Sequence, residues 1–303
     1  MKSTSNRVRF CTFNIRNTTD RYKERQPVLA KAIQDIGADI IGFQEVAWSQ
    51  IPFLHSAFVP DKSVITCKST CQDPILSRSK PCYRVDGDLL LAKTTTKGNA
   101  NVELLQEDVL ILSFERVVQR ALLKITTKVG NVSNNSTTTT KSFLLWVLNT
   151  HLHDGLTKAA EIERLRQTKA MIEWLEEGES HRKAVSDVAL DGIVVLGDFN
   201  ASQEDTSYLY MKQHGFMSAF QVVKHAEPVT TFPTGLKAST MDTDPDIGCV
   251  DFVWIKGSAL VPVEAGIAAN TPAPNDSTIY PSDHFAVWAD ICLQTPHCKS
   301  ENL

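Results

Sequence analysis

The sequence lacks any apolar run long enough for a membrane-spanning helix, and the polar stretch before its first strand leaves no room for the apolar part of a signal peptide. A basic excess is also missing. The formal net charge is −4, so a surface that holds a long nucleic-acid duplex is not indicated. Internal repeats and linkers typical of a domain boundary are absent. We therefore predict one domain over residues 1–303, a monomer without membrane insertion, located in the cytoplasm or, alternatively, in the nucleus.

A complete four-ligand zinc set is also absent from the sequence. The seven cysteines are an odd number and are scattered along the chain. Cys67, Cys71 and Cys82 share one irregular stretch, whose spacing is compatible with a metal site or a disulfide. Free thiols are the favoured interpretation of this stretch.

The chain begins with a strand, a helix and a second strand. Residues 8–15 are rich in β-formers and predict a strand that ends near Asn14. Residues 22–36 have the apolar spacing of an amphipathic helix, with Gly37 as its natural stop. Residues 39–46 predict a buried strand with Glu45 at its carboxyl end. With 42% hydrophobic residues the chain has enough material for a sizeable core.

The same patterns continue to the end of the chain and indicate an α/β protein. Further strands are predicted over residues 88–92, 109–112, 120–125, 143–151, 248–255 and 285–291. Further helices are predicted over residues 48–58, 159–177 and 207–214. The low-complexity residues 130–142 predict a hairpin loop between antiparallel strands, and residues 180–191 predict a polar linker.

The most informative stretch lies at residues 193–200. Four apolar residues at 193–196 predict a strand buried on both faces, and Gly197 then allows a sharp turn. Asp198 and Asn200 would emerge at the carboxyl end of this strand, where sheet proteins often place chemistry. Taken alone, this stretch is better explained by an ordinary turn, because strands that end in Gly-Asp are common.

Similar polar residues follow other predicted strands. The set is Asn14, Glu45, His151, Asp198, Asn200, Asp251, Asp283 and His284. Each could be a turn cap, an exposed charge or a hydrogen-bonded core residue, but together they favour a site for phosphate transfer. Carboxylate and amide oxygens suit Mg²⁺ or Mn²⁺, and a histidine oriented by a carboxylate can stabilise a reacting phosphate.

Six short motifs run through the chain in a fixed order. They are TFN at 12–14, FQE at 43–45, NTH at 149–151, GDFN at 197–200, VDF at 250–252 and SDH at 282–284. Over residues 8–291 this series resembles the endonuclease/exonuclease/phosphatase superfamily, also called DNase I-like. The resemblance implies a four-layer α/β sandwich, in which two mixed β-sheets face one another and helices cover the outside. It also implies a Mg²⁺-dependent hydrolase of phosphoric esters.

The resemblance implies roles for the metal-binding and water-binding residues. Asn14 and Glu45 would hold Mg²⁺, or alternatively Mn²⁺, with Asp283 close by. Asp198 and Asn200 would position the attacking water or the phosphate.

The resemblance also implies roles for the two histidines. His284 would be the key catalytic histidine, paired with Asp251. His151 would contact the scissile phosphate, braced by Asp86 or Asp88. Arg120 could contact the phosphate as well, but an exposed strand charge is an equally good explanation.

Details of the motifs narrow the expected substrate to a phosphorylated small molecule or a nucleic acid. The NTH form at 149–151 and Phe199 in the GDFN motif argue against the abasic-site repair members. The NTH form is closer to the deadenylase and nocturnin group, the neutral sphingomyelinases and the secreted nucleases, and the lack of secretion and membrane segments weighs against the secreted nucleases and membrane-anchored sphingomyelinases. We expect hydrolysis of a phosphodiester, in RNA or a nucleotide-like phosphate, by in-line attack of water. A lipid or inositol phosphate phosphodiesterase or phosphatase, and a non-catalytic binding module, remain alternatives. The polar loop at residues 230–235 and 239–244 either selects substrate or is simply solvated.

Overall fold

Two six-stranded mixed sheets form the centre of the protein, for which a computed structural model describes residues 6–59, 63–67, 86–113, 116–129, 139–185, 188–239 and 247–294. Sheet 1 contains β1 Arg7–Asn14, β2 Ile40–Ala47, β3 Val64–Thr66, β4 Asp86–Lys93, β11 Leu260–Ala268 and β12 Ala286–Leu293. Its strand order is β11-β12-β1-β2-β4-β3. The neighbours β1 and β2 are parallel, as the helix between them requires, and the other pairs are antiparallel.

Sheet 2 is built mainly from the middle of the chain. It contains β5 Asn101–Ser113, β6 Arg116–Val129, β7 Thr139–His151, β8 Gly192–Asp198, β9 Met217–Ser218 and β10 Asp251–Lys256. Its strand order is β5-β6-β7-β8-β10-β9. Only β7 and β8 run parallel, so their carboxyl ends lie at the same edge of the sheet. In β10, Asp251 is directly opposite Asp198 of β8.

Helices α1 Tyr22–Ile36 and α2 Ile51–Phe58 cover the outer face of sheet 1, and α3 Lys158–Val185 and α4 Thr206–Gln213 cover the outer face of sheet 2. The short helix α5 Ala219–Lys224 packs instead on the core between the sheets. Leu29 and Ile33 of α1 pack on sheet 1 with Phe43, whereas Ile172 of α3 packs on sheet 2 with Trp146.

A third apolar core lies between the sheets and joins residues of both, such as Phe10 and Leu90 with Leu145 and Val194. This arrangement confirms the predicted four-layer α/β sandwich. Within the described residues, every helix is either too short or too polar to cross a membrane.

Several predicted boundaries are wrong. Helix α3 continues to Val185, so residues 180–185 are helical and do not belong to a linker. Arg182 there is paired with Glu179, and such pairs three residues apart stabilise a helix despite its polar sequence. Strand β7 already begins at Thr139, so any loop is shorter than predicted, and residues 130–138 are outside the described residues.

Other elements were missed by the sequence analysis. They are β3, β9, β11, the helix α5, and the first half of β5. Most of the side chains of β5 are exposed, so its apolar pattern is weak. Cys67 is a buried free thiol, as predicted, while Cys71 and Cys82 are outside the described residues.

Candidate active site

The ends of the two sheets meet at a polar cluster. Asn14 ends β1 and Asp198 ends β8, and the Asn14 Nδ2 donates a hydrogen bond of 3.0 Å to Asp198 Oδ2 across the gap between the sheets. Both side chains are buried. The facing sheets therefore bring together strand ends that are 184 residues apart in sequence.

Two of the predicted site residues have a backbone conformation that is unusual for anything except glycine. Glu45 has φ 53° and Asn200 has φ 50°. In β2, Glu45 sits in an irregularity of the pairing with β4, between Phe43 and Val46. An irregularity of this kind re-aims a side chain, and here it turns Glu45 towards Asn14, whose Nδ2 lies 3.2 Å from Glu45 Oε1.

His284 forms the centre of one half of the cluster. Its Nδ1 lies 3.0 Å from Asp251 Oδ2, and its Nε2 lies 3.7 Å from Asp198 Oδ2. The ring of Phe232 stacks on the imidazole with a centroid distance of 4.6 Å. Because Asp251 is an acceptor, His284 carries a proton on Nδ1 and presents Nε2 to Asp198.

The charges of this half of the cluster depend on one another. Burial alone would lower the pKa of His284, but the negative charges of Asp251, Asp198 and Asp283 outweigh it and raise the pKa to about 10. Burial raises the pKa of Asp198 to about 6, against the opposing effect of the His284 charge. At neutral pH the site therefore holds an imidazolium beside two carboxylates.

Asp198, Asp251 and His284 place one ligand atom each within 4.8 Å of one another. This spacing could suit a metal ion. The hydrogen bond of His284 Nδ1 to Asp251 leaves only Nε2 of this ring available, and an imidazole oriented by a carboxylate also suits an acid and base group.

The other half of the cluster is rich in oxygen atoms. Asp283 is fully buried, and its Oδ2 accepts no hydrogen bond, although Arg16 Nη1 lies 3.3 Å away. Burial raises the pKa of Glu45, and the charge of Asp283 raises it further, so the two carboxylates lie close enough to repel each other. Asn17 Nδ2 donates to Glu45 Oε2 at 3.2 Å.

Arg16 and Asn17 were not predicted as site residues. They follow β1 in a turn where Arg16 has φ 53°, and this turn directs the guanidinium back to Asp283. The sequence offers one signal in retrospect, since two polar residues follow soon after Asn14 at a strand end.

Asn14, predicted as a metal ligand, lies between the two halves of the cluster. Its Oδ1 accepts a hydrogen bond from the backbone N–H of Arg16 at 3.0 Å, and its Nδ2 donates to Glu45 and Asp198. The amide therefore presents its nitrogen to the two carboxylates and orients them.

His151 and Asn200 both lie beside Asp198. His151 Nε2 is 3.4 Å from Asp198 Oδ2, and the backbone N–H of Asn200 donates to Asp198 Oδ1 at 2.9 Å. The side-chain amide of Asn200 donates to the carbonyl of Leu152 at 3.1 Å, which fixes it at the rim. Asp88 is buried on β4, and nothing is described of the side chain of Asp86.

Arg120 is the predicted substrate residue that the structure does not bring to the cluster. It lies on the outer face of sheet 2 beneath α3, where Nη1 donates to the carbonyl of Trp174 at 2.8 Å and Nη2 pairs with Asp108 at 3.4 Å. Its guanidinium also stacks 3.7 Å from the centroid of the Trp174 ring. The cluster faces the other sheet, so Arg120 is a packing residue rather than a phosphate ligand or an exposed charge.

A buried network of side-chain amides lies between the sheets next to the site. Gln44 Nε2 donates to Asn149 Oδ1 at 2.7 Å, and Asn149 Nδ2 donates to the carbonyl of Phe43 at 3.0 Å. These bonds join the two sheets one layer beneath Asn14 and Asp198. Gly42 permits this close approach, because a Cβ there would lie 2.3 Å from Asn149 Oδ1.

The agreement with known proteins comes from solved structures. No protein-family model matches the sequence, and no curated protein matches it significantly. Among solved structures, an endonuclease/exonuclease/phosphatase family protein from Bacteroides thetaiotaomicron has 16% identity and a TM-score of 0.66, with 95% of this chain and 98% of that chain covered.

Two further structures indicate the range of proteins with this fold. A mannosyl-6-phosphatase from Bacteroides thetaiotaomicron has 16% identity and a TM-score of 0.65, covering 94% of this chain and 100% of that chain. TDP2 from D. rerio, complexed with a single-strand DNA product, has 13% identity and a TM-score of 0.65, covering 94% and 98%. The chain therefore has the fold of the endonuclease/exonuclease/phosphatase proteins, also called the DNase I-like fold.

Proposed function

We propose that this chain is a divalent-metal-dependent phosphoesterase of the endonuclease/exonuclease/phosphatase superfamily, acting on a phosphodiester in RNA or another nucleotide-like phosphate. One observation carries the proposal. A protonated His284, held by Asp251, lies beside Asp198, a carboxylate that can still take up a proton near pH 6. An acid and a base of opposite charge, side by side at a buried cluster, suit the addition of water to a phosphate.

Each residue of the cluster has its own role in the proposed reaction. Asp198 takes the proton of the attacking water, and Asn200 is fixed beside it at the rim. The imidazolium of His284 stabilises negative charge on the phosphate oxygens, and Asp251 keeps its ring oriented and protonated. His151, whose Nε2 approaches the same oxygen of Asp198 as that of His284, contacts the same phosphate.

The half of the cluster around Glu45 and Asp283 fits a divalent cation. Asp283 Oδ2 is buried without a hydrogen bond, and Glu45 and Asp283 repel each other. Hard oxygen donors of this kind suit Mg²⁺ or Mn²⁺. When bound, the cation would neutralise charge on the phosphate and the leaving group. Glu45 and Asp283 would hold it, while Asn14 and Asn17 keep the Glu45 carboxylate in place.

The structural comparisons support a phosphate ester as the substrate. One neighbour is a phosphatase of a mannosyl 6-phosphate and another holds a single-strand DNA product. The fold is thus compatible with both monoesters and nucleic acids. We favour a diester because the NTH motif at 149–151 resembles that of the deadenylase and sphingomyelinase groups, and monoester cleavage is an outcome of the test below.

The test compares four substrates with the purified chain of residues 1–303: bis(para-nitrophenyl) phosphate, para-nitrophenyl phosphate, a single-stranded RNA and a single-stranded DNA. We expect release of product from the diester or the RNA, loss of activity in EDTA, and recovery with Mg²⁺ or Mn²⁺. Glu45→Gln and His284→Gln should each lower kcat/KM by about a hundredfold or more.

Matched variants away from the cluster control for general effects of substitution. Glu227→Gln changes a buried glutamate that binds Tyr208 and Ser218, and His214→Gln changes a half-buried histidine directly after α4, whose Nδ1 lies 2.9 Å from the carbonyl oxygen of Tyr210. Both should retain nearly normal kcat/KM. Titration calorimetry of Mn²⁺ should show binding that Glu45→Gln weakens. Inactivity on all four substrates at saturating metal would contradict the proposal. Activity only on para-nitrophenyl phosphate would mean that the substrate is a phosphomonoester and not a diester.

A further inference from the structure

The segment 230–234 connects the two parts of the chain that carry Asp251 and His284. On one side, the backbone N–H groups of Thr231 and Phe232 donate to the carbonyl of Gly248 at 2.9 and 3.1 Å. On the other side, the N–H of Thr234 donates to the carbonyl of Asp283 at 2.7 Å. The sequence is compatible with a solvated loop or a substrate-selecting loop at this segment, and these bonds show instead that it joins the chain at Gly248 to the chain at Asp283.

Thr231 is the fully buried centre of this segment. Its Oγ1 accepts hydrogen bonds from the backbone N–H of Val250 at 2.9 Å and from that of Asp251 at 3.2 Å. Its carbonyl accepts a hydrogen bond from the backbone N–H of Phe285 at 2.8 Å. One residue therefore binds the main chain of Asp251 and the main chain next to His284.

The neighbouring residue acts on the imidazole itself. Phe232 covers one face of the His284 ring, at a centroid distance of 4.6 Å and an interplanar angle of 39°. The backbone of Phe232 is held by two neighbours. Thr230 Oγ1 donates to its carbonyl at 3.0 Å, and its N–H donates to the carbonyl of Gly248. The contact of His284 Nδ1 with Asp251 Oδ2 is thus fixed in three ways: through both backbones and through the ring face.

We propose that Thr231 is a positioning residue of the reaction, which sets the separation and angle of Asp251 and His284 without touching the substrate. The inference rests on the function proposed above for this pair. Loss of the hydroxyl would release the N–H of Asp251 and let the carboxylate move relative to the ring. A displacement of about 1 Å in a catalytic group can lower a rate about a hundredfold.

The test uses Thr231→Val, which keeps the shape and removes the hydroxyl, and Thr231→Ser, which restores it. For Thr231→Val we expect kcat to fall about tenfold to a hundredfold with KM within about twofold. Thr231→Ser should recover most of kcat. Thr96→Val is the matched control, because Thr96 is also buried and its Oγ1 accepts from the N–H of Ala100, far along the chain in the β4–β5 connection.

A second measurement does not depend on turnover. The ¹⁵N chemical shift of the His284 Nδ1 is measured by two-bond ¹H–¹⁵N correlation of protein labelled with ¹⁵N-histidine. The signal is assigned by its loss in His284→Gln. At one fixed pH, Thr231→Val should move this shift towards that of Asp251→Asn, while Thr96→Val and Thr231→Ser leave it in place. A merely structural role predicts equal effects of Thr231→Val and Thr96→Val on melting temperature with no change in kcat or shift. That result would overturn the inference.

The two proposals fail in different ways. If the wild-type chain hydrolyses no phosphate ester, the proposed function is wrong, and the shift alone then decides whether Thr231 orients the pair. If the wild-type chain is active and Thr231→Val keeps both its kcat and its Nδ1 shift, the proposed function stands and the role of Thr231 is refuted.

Discussion

Asp198 and Asp251 are direct neighbours across the antiparallel pair of β8 and β10, so two buried carboxylates lie side by side. Two such charges are compatible only with a positive partner, and His284 supplies it from the loop before β12. The chemistry of the site therefore follows from a strand register, because shifting β10 by one residue would turn Asp251 to the other face.

The charges of this trio predict a bell-shaped dependence of kcat/KM on pH. The rate should rise as Asp198 loses its proton around pH 6 and fall as His284 loses its proton around pH 10. Asp251→Asn removes a charge that raises the pKa of His284, so the alkaline limb should move to lower pH. The measurement is kcat/KM at saturating metal from pH 5 to pH 11. An unchanged alkaline limb in Asp251→Asn would mean that another group controls it.

The same two shifts should each lower the stability of the fold as the pH rises, in two different pH ranges. The pKa of His284 is raised above 6.5, so its contribution to the free energy of unfolding is complete below that pH and disappears as the pH rises through about 10. The pKa of Asp198 is raised above 3.8, so ionising it in the folded protein costs stability as the pH rises from 3.8 through about 6. In denaturant unfolding of the wild type, the free energy of unfolding should fall with rising pH in both ranges, and Asp198→Asn should lack the fall between pH 3.8 and about 6.

The turn that carries Arg16 and Asn17 is stabilised by hydrogen bonds from Arg25. Its guanidinium is fully buried in α1 and donates to backbone carbonyls of the turn and of the segment before Asp283. The acceptors are the carbonyls of Ile15, Arg16, Thr19, Asp20 and Pro281, at 2.7 to 3.1 Å. Lysine cannot reproduce this planar array, and buried carbonyls would lose their partners.

Arg25→Lys should therefore lower the free energy of unfolding by about 2 kcal/mol or more. Arg21→Lys is the control. Arg21 lies one turn earlier, and it pairs with Glu24 and Asp276 at the surface, where such pairs contribute about 0 to 1 kcal/mol. Urea unfolding of both variants measures the difference. Equal losses would show that the buried array contributes no more than the exposed pairs.

Arg120 gives a prediction that separates stability from activity. Arg120→Met keeps an unbranched side chain beneath α3 but removes the stacking on Trp174 and the bond to its carbonyl. We expect the free energy of unfolding to fall by about 1 to 3 kcal/mol, with kcat/KM unchanged below the melting temperature. A large rise in KM with normal stability would restore the phosphate-binding role that the sequence suggested.

The sequence predicted the parts of the site that strands deliver. Glu45 and Asp198 follow buried strands, and the end of such a strand is visible as an apolar run before a polar residue. Arg16 and Thr231 could not be found in this way. Arg16 reaches Asp283 because Arg25 shapes its turn, and Thr231 binds residues about 20 and 54 positions later in the chain.

Arg120 was misjudged for a different reason. In β6 its neighbours Ala121 and Leu123 face the other sheet, so Arg120 faces α3. Strand alternation shows that a residue lies on one face or the other, but it does not show that a long helix covers the polar face. The length of α3 was itself underestimated, because its last turns are held by ion pairs and not by an apolar stripe.

The final prediction concerns the spacing of the two sheets at Gly42. An alanine Cβ at this position would lie 2.3 Å from Asn149 Oδ1 and 3.1 Å from Leu196 Cβ, so Asn149 or the sheets must move. Moving Asn149 breaks its 2.7 Å bond with Gln44, and moving the sheets separates Asn14 from Asp198. Gly42→Ala should therefore lower the free energy of unfolding by about 1 to 3 kcal/mol and lower kcat as well.

A double-mutant cycle identifies the contact that is responsible. Asn149→Ala removes the side chain that Gly42→Ala would strike, so the second substitution should be less harmful in that background, by about 1 kcal/mol or more. The control pair is Gly42→Ala with Thr96→Val, a residue in the β4–β5 connection, for which additive losses are expected. Additive losses in both pairs would show that the close approach of Gly42 to Asn149 does not set the spacing. Coupling only between Gly42→Ala and Asn149→Ala would show that the geometry of the site depends on the absence of a side chain at Gly42, between the sheets.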